Sequence, residues 1–189
     1  MIFSENTGSY SLNTTPLKSM TEFNSGLWLV LIGVNEIPPH IALISDGKYY
    51  SQSVRKVDCA TLLERFLGAI ERKQIPTLLV QFGSAAVGVQ NIEPLQKIFR
   101  NLNPLNTSQE TCLSPIKKFF TEQVCDEFGN INYVFELLAT AESKGLITEC
   151  VSLYCETTNS KSITLPKYTM AQIKNRINEL STKQQPLTT

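Results

Sequence analysis

Residues 27–52 read LWLVLIGVNEIPPHIALISDGKYYSQ, and this stretch sets the expected fold. Leu27–Val34 is a continuous apolar run of strand length, which predicts a strand buried on both faces. Ile41–Ile44 and Tyr49–Val54 flank Asp46-Gly47, a strong short-range hairpin signal. His40, the only histidine in 189 residues, opens the second run directly after Pro38-Pro39. A histidine entering a strand beside a tight hairpin is held rigidly, which suits a general base.

Outward from this core, Asp58 reads as the cap of an amphipathic helix whose Leu62, Leu63, Phe66, Leu67 and Ile70 recur at helical spacing. Thr77–Phe82 is a further strand, Gly83–Asn91 a loop, Glu93–Arg100 a short helix and Asn101–Glu110 a polar loop. A helix is expected over Pro115–Glu127 and another over Ile131–Lys144, stopped by Gly145. Ile147–Thr157 alternates as a strand, and Thr169 opens a last helix through Leu180. Three consecutive strands followed by mixed elements define an α+β protein, with helices packed on a mostly antiparallel central sheet. One domain is expected over residues 25–180, after a partly ordered lead-in (1–24) and before a flexible tail (181–189).

Composition narrows the function classes. Lys+Arg and Asp+Glu both total 17, so the chain lacks the basic excess of a nucleic-acid binder. Arg55, Lys56, Arg65, Arg72 and Lys73 lie among Asp58, Glu64 and Glu71 and read as a solvated helix face. The first residues carry no basic-then-apolar signal pattern, and no run approaches a membrane span, which points to a cytoplasmic protein. Cys59, Cys112, Cys125, Cys150 and Cys155 are then expected as reduced thiols. With no CxxC and one histidine, neither a metal nor another cofactor is expected. The phrase GSAAVGV (83–89) lacks the Lys-Ser/Thr ending of a phosphate loop.

The hairpin register decides what faces His40. A two-residue Asp46-Gly47 loop pairs Ser45 with Lys48 and sets His40 opposite Ser53. A three-residue loop with a bulge at Gly47 pairs Ile44 with Lys48 and sets His40 opposite Gln52. Both loops suit the sequence. Gln52 is the favoured partner, because an amide oxygen can accept the imidazole N–H and free the other nitrogen to take a proton. Two cysteines lie near expected helix starts. Cys59 follows Asp58, whose charge would raise a thiol pKa, whereas Cys112 in TCLSPIKKFF precedes Ser114-Pro115 in a polar, accessible setting. Cys112 is the favoured nucleophile, with one depressed thiol pKa expected of an enzyme. Cys125, Cys150 and Cys155 read as core or strand residues, and Tyr49-Tyr50 as sheet packing.

The run from Leu27 to Gln52 resembles the segment around the catalytic histidine of papain-like NlpC-type endopeptidases and of lecithin retinol acyltransferase-like proteins. An apolar strand leads to a loop, a histidine, a second apolar stretch, a Gly-containing turn and a polar residue on the next strand. No cysteine precedes His40, so the resemblance implies the circularly permuted order, with His40 as base, Gln52 as orienting residue and Cys112 as nucleophile. It implies a cysteine-dependent amide or ester hydrolase or acyltransferase of permuted papain-like fold, acting on a small-molecule, lipid or peptide substrate. The alternative is a non-catalytic interaction module that keeps the same fold.

Overall fold

The computed structural model describes residues 9–15, 19–83, 93–106, 110–155 and 162–183. Six strands form one antiparallel sheet: β2 (Leu27–Ile32), β3 (His40–Ser45), β4 (Lys48–Gln52), β5 (Val57–Leu62), β6 (Thr77–Phe82) and β7 (Ile147–Leu153), in the order β5-β4-β3-β2-β6-β7. Two short strands, β1 (Tyr10–Asn13) and β8 (Ser162–Leu165), pair separately. The helices are α1 (Leu63–Lys73), α2 (Glu93–Arg100), α3 (Ser114–Gln123), α4 (Val134–Ser143) and α5 (Met170–Thr182). The architecture is α+β, and no helix among the described residues is long and apolar enough to cross a membrane.

The unbroken apolar run of β2 follows from its position, because the sheet is covered on both faces. Trp28 and Val30 join Ala42, Ile44, Leu79 and α1 residues Leu63 and Ile70 on one side. Leu27, Leu29 and Leu31 join Leu43, Leu78, Val80, Phe120 and Leu138 in the larger core on the other. A strand buried on both faces has no polar alternation to show. Each such side chain contributes roughly 1.5–3 kcal/mol by leaving water. Ile173 and Ile177 attach α5 to the larger core.

The β3–β4 hairpin is built on the two-residue loop. Asp46 (φ 47°) and Gly47 (φ 69°) both take positive φ, as a type I′ turn requires, and Ser45 pairs with Lys48. Of the two loops that suit the sequence, the three-residue one that would have set Gln52 opposite His40 is not formed. Gly47 is needed for its backbone and not for space, since an added Cβ would meet nothing closer than 3.6 Å.

The largest correction in secondary structure lies at Asp58. The chain continues as β5 through Leu62, and α1 begins only at Leu63, without a side-chain cap. Asp58 pairs with Ser51 across the sheet, and an extra residue of β5 is taken up with Ala60 at φ 56°. The helical spacing of apolar residues starts at Leu62, so nothing apolar ties residues 58–61 to a helix. Further along, α3 ends at Gln123 and a 3₁₀ turn spans Asp126–Asn130, shorter than the helix expected to Glu127. Within the expected lead-in, Tyr10–Asn13 is a strand and Met20–Asn24 a 3₁₀ turn that buries Phe23. Thr15 makes a parallel bridge to Val151 on edge strand β7, its N–H donating to the Cys150 carbonyl at 2.8 Å. Apart from Gly83, the expected loop 83–91 and its glycine-rich phrase lie outside the described residues, as do 107–109, 156–161 and the tail beyond 183.

Candidate functional site

His40 is the first residue of β3, paired with Ile32 on β2 and entered from the Pro38-Pro39 loop. Cys112 sits in the turn before α3, where short-range hydrogen bonds fix the backbone. The Thr111 N–H donates to Ser114 Oγ (3.0 Å), the Leu113 N–H to Thr111 Oγ1 (3.2 Å) and the Ser114 N–H to the Thr111 carbonyl (2.9 Å). Ser, Thr and Pro at these positions are helix-entry residues, so this turn follows directly from the sequence. His40 and Cys112 line one cavity of about 110 Å³, whose wall includes Pro39, Val54, Leu105, Ile173, Ile177 and Leu180.

The electrostatics of the pair are those of two neutral groups. Packing around His40 makes its charged form costly and pushes its pKa down to about 4, against a smaller opposing effect of the Asp58 carboxylate. Burial pushes the Cys112 thiol up to about 11, while the backbone N–H groups of Ile41, Cys112 and Leu113 favour the thiolate. The expected depressed thiol pKa is thus absent from this state of the protein, because burial outweighs the N–H groups. No hydrogen bond joins the two side chains.

Gln52 is not brought to His40. The two-residue loop sets Gln52 one position beyond the Ser51–Ala42 pair and not opposite His40, and no hydrogen bond joins the two side chains. The Gln52 Nε2 donates to the Asn103 carbonyl at 2.8 Å and its Oε1 is buried without a partner. Gln52 contributes instead to a separate cleft of about 700 Å³ beside α2 and α3, with Lys97, Asn101, Ser114 and Lys118. Ser53, which the same register sets opposite His40, donates its hydroxyl to the Lys56 carbonyl at 2.9 Å and accepts the N–H groups of Arg55 and Lys56.

Cys59 lies in β5 and not in the first turn of a helix. Its Sγ is 3.8 Å from the Gln96 carbonyl, and burial raises its pKa against the nearby Arg100. Burial likewise raises Cys150 to about 11, and raises Cys155, whose thiol points at the Leu153 and Thr77 carbonyls. Tyr49 stacks on Phe66 with ring centroids 4.3 Å apart, and Tyr50 packs against Phe99.

Asp58 is the residue that sequence reasoning misassigned. Its carboxylate is largely buried, accepts hydrogen bonds from Ser51 Oγ (3.3 Å) and Thr61 Oγ1 (3.2 Å), and pairs with Lys56 Nζ (2.9 Å). The acid acting on His40 is therefore held by strand neighbours. The signal that could have found it was the two-residue loop, which aligns Ser51 with Ala42, one of the residues on the His40 face. No family model matches the chain, and comparison with curated proteins and with solved structures finds no match.

Proposed function

We propose that this protein is a cysteine-dependent amide or ester hydrolase or acyltransferase of permuted papain-like type, with Cys112 as nucleophile and His40 as base. The observation that carries the reading is that His40 and Cys112 line one cavity, with backbone N–H groups favouring the thiolate of Cys112 and a histidine kept neutral at pH 7. A neutral imidazole can accept a proton, so the thiol need not be ionised beforehand. As Sγ attacks the substrate carbonyl, the thiol proton passes to His40 and the carbonyl oxygen becomes an oxyanion, which a backbone N–H at Cys112 would stabilise. The leaving group departs with the proton from His40, leaving an S-acyl enzyme. Water, or another hydroxyl or amine, then takes the acyl group and restores the thiol.

Asp58 replaces Gln52 as the polar member of the set. It acts through its charge on the imidazolium that forms during the reaction, which makes it a positioning and not a catalytic residue.

The test is intact-protein mass spectrometry after exposure to activated esters, on wild type, Cys112→Ala and His40→Ala. Acylation confined to Cys112, and slowed about 10²–10⁴-fold by His40→Ala, supports the reading. Acylation that persists in Cys112→Ala, or ignores His40, overturns it. One observation favours the rival reading of a non-catalytic interaction module: the Cys112 thiol is pushed up to about 11 and makes no hydrogen bond to His40. Such a module would give no acyl-enzyme with any ester.

A further inference from the structure

We propose that the cavity beside Cys112 is an acyl pocket for a short, uncharged aliphatic acyl group, of about four carbons beyond the carbonyl. The inference rests on the catalytic reading above and adds the substrate class.

Three properties of the cavity lead there. The first is size. At about 110 Å³ it is smaller than an apolar cavity of roughly 150 Å³ that takes a benzene ring, and holds about four groups the size of a water molecule. That volume matches a chain of about four carbons and is exceeded by a long lipid chain. The second is the lining. Pro38, Pro39, Val54 and Leu105 form part of it, while Ile173, Ile177 and Leu180 recur at helical spacing along α5. An acyl tail there would meet aliphatic carbon from both the loop and the helix.

The third property is charge. The charged residues lining the cavity are Glu36 and Arg176, which form an ion pair with each other, while His40 is neutral. Arg176 also approaches Glu179, with Nη1 3.7 Å from its carboxylate. A carboxylate-bearing acyl group would lose its hydration without gaining a free cation, so the pocket discriminates against it. Cys112 also lines the cavity, and the N–H groups of Ile41, Cys112 and Leu113 that favour its thiolate mark where the reacting carbonyl belongs.

The reaction balances simply. The Cys112 S–H bond and the ester C–O bond break, an S–C bond forms, and the alcohol leaves with the proton. Each methylene added up to the filling length should raise kcat/KM about fourfold, and overfilling should lower it at least tenfold.

The experiment uses the full chain with p-nitrophenyl esters of acetate, butyrate, pentanoate, octanoate and monosuccinate. Nitrophenol release is followed together with the mass of the acylated protein. Wild type is compared with Ile177→Ala, which enlarges the cavity, and Leu180→Phe, which fills it from a partly exposed position. The expected result is an optimum near pentanoate, with monosuccinate at least tenfold poorer than butyrate. Ile177→Ala should move the optimum toward octanoate and Leu180→Phe toward acetate. If Ile177→Ala fails to fold, Leu180→Phe decides alone. Acylation of Cys112 with a flat chain-length profile, or one that the folded variants leave in place, overturns the pocket while the catalytic reading stands. Failure of every ester to acylate Cys112 overturns both.

Discussion

Gln52 donates its amide N–H to the Asn103 carbonyl at 2.8 Å, while its own Oε1 is buried with no partner. A buried acceptor without a donor costs about 1–3 kcal/mol, so this side chain stabilises the fold less than its burial implies. Gln52→Met keeps the volume and removes the orphaned oxygen. Its stability should stay within about 1 kcal/mol of wild type by urea unfolding, and esterase activity should change less than about threefold. A loss of activity on the scale of His40→Ala would restore Gln52 to the catalytic set.

His40 makes stability depend on pH. Its folded pKa of about 4 lies below the ordinary 6.5, so the unfolded chain takes up the proton first as pH falls. The stabilisation is present in full above pH 6.5 and is lost as pH falls through the window from 6.5 to about 4. Its size is up to about 3 kcal/mol, at ~1.4 kcal/mol for each pKa unit. His40→Gln should remove this component from the difference between urea midpoints at pH 7 and pH 4. Equal pH slopes in the two proteins would show that His40 titrates normally.

Asp58 favours the imidazolium from its seat on β5. Asp58→Asn should therefore lower the His40 pKa below its already depressed value. The single histidine makes the titration readable by NMR without assignment of other rings. On the proposed mechanism the same variant should slow acylation of Cys112 about tenfold, less than His40→Ala does. An unchanged His40 titration would place Asp58 in a purely structural role with Ser51, Thr61 and Lys56.

Gly47→Ala isolates the conformational requirement of the hairpin. An alanine Cβ has room, but φ of 69° costs an L-residue roughly 1–2 kcal/mol. Thermal unfolding should report a loss of that order. A negligible loss would mean that the loop relaxes to the alternative register, which cross-strand NMR contacts between Ile44 and Lys48 would reveal.

The parts of the fold that could be read from sequence are those with redundant signals. Strand β6 and helix α2 lie where expected, because an apolar run of strand length and a short amphipathic segment are each bounded by breaks in pattern. Thr169 caps α5 as expected, accepting the Gln172 N–H at 3.3 Å. Gly145 (φ 65°) follows α4 in the left-handed conformation that ends helices. The misread places have one local signal with two physical outcomes. Asp58 can cap a helix or bond across a sheet, and only the pairing of β4 with β5 decides. Asp46 can begin a type I′ turn or a bulged loop, and its positive φ is a property of the folded hairpin. Strands β1 and β8 are four residues each and half polar, too short to carry a period. At the candidate site, the helix-entry turn that carries Cys112 could be read from TCLSP. That α5 supplies Ile173, Ile177 and Leu180 to the same cavity depends on where the helix lands, which no local pattern encodes.

The bridge from Thr15 to Val151 has a consequence for self-association. Strand β7 ends the sheet, and an open strand edge is a template for another chain. Thr15 occupies part of that edge, with its N–H on the Cys150 carbonyl and its hydroxyl 3.0 Å from the Glu149 carboxylate. A chain truncated beyond Thr15 should keep most of its helical circular dichroism yet form oligomers at concentrations where the full chain scatters no light. The same segment carries Leu12 into the larger core, so one stretch of chain both adds to the packing and covers part of an open edge.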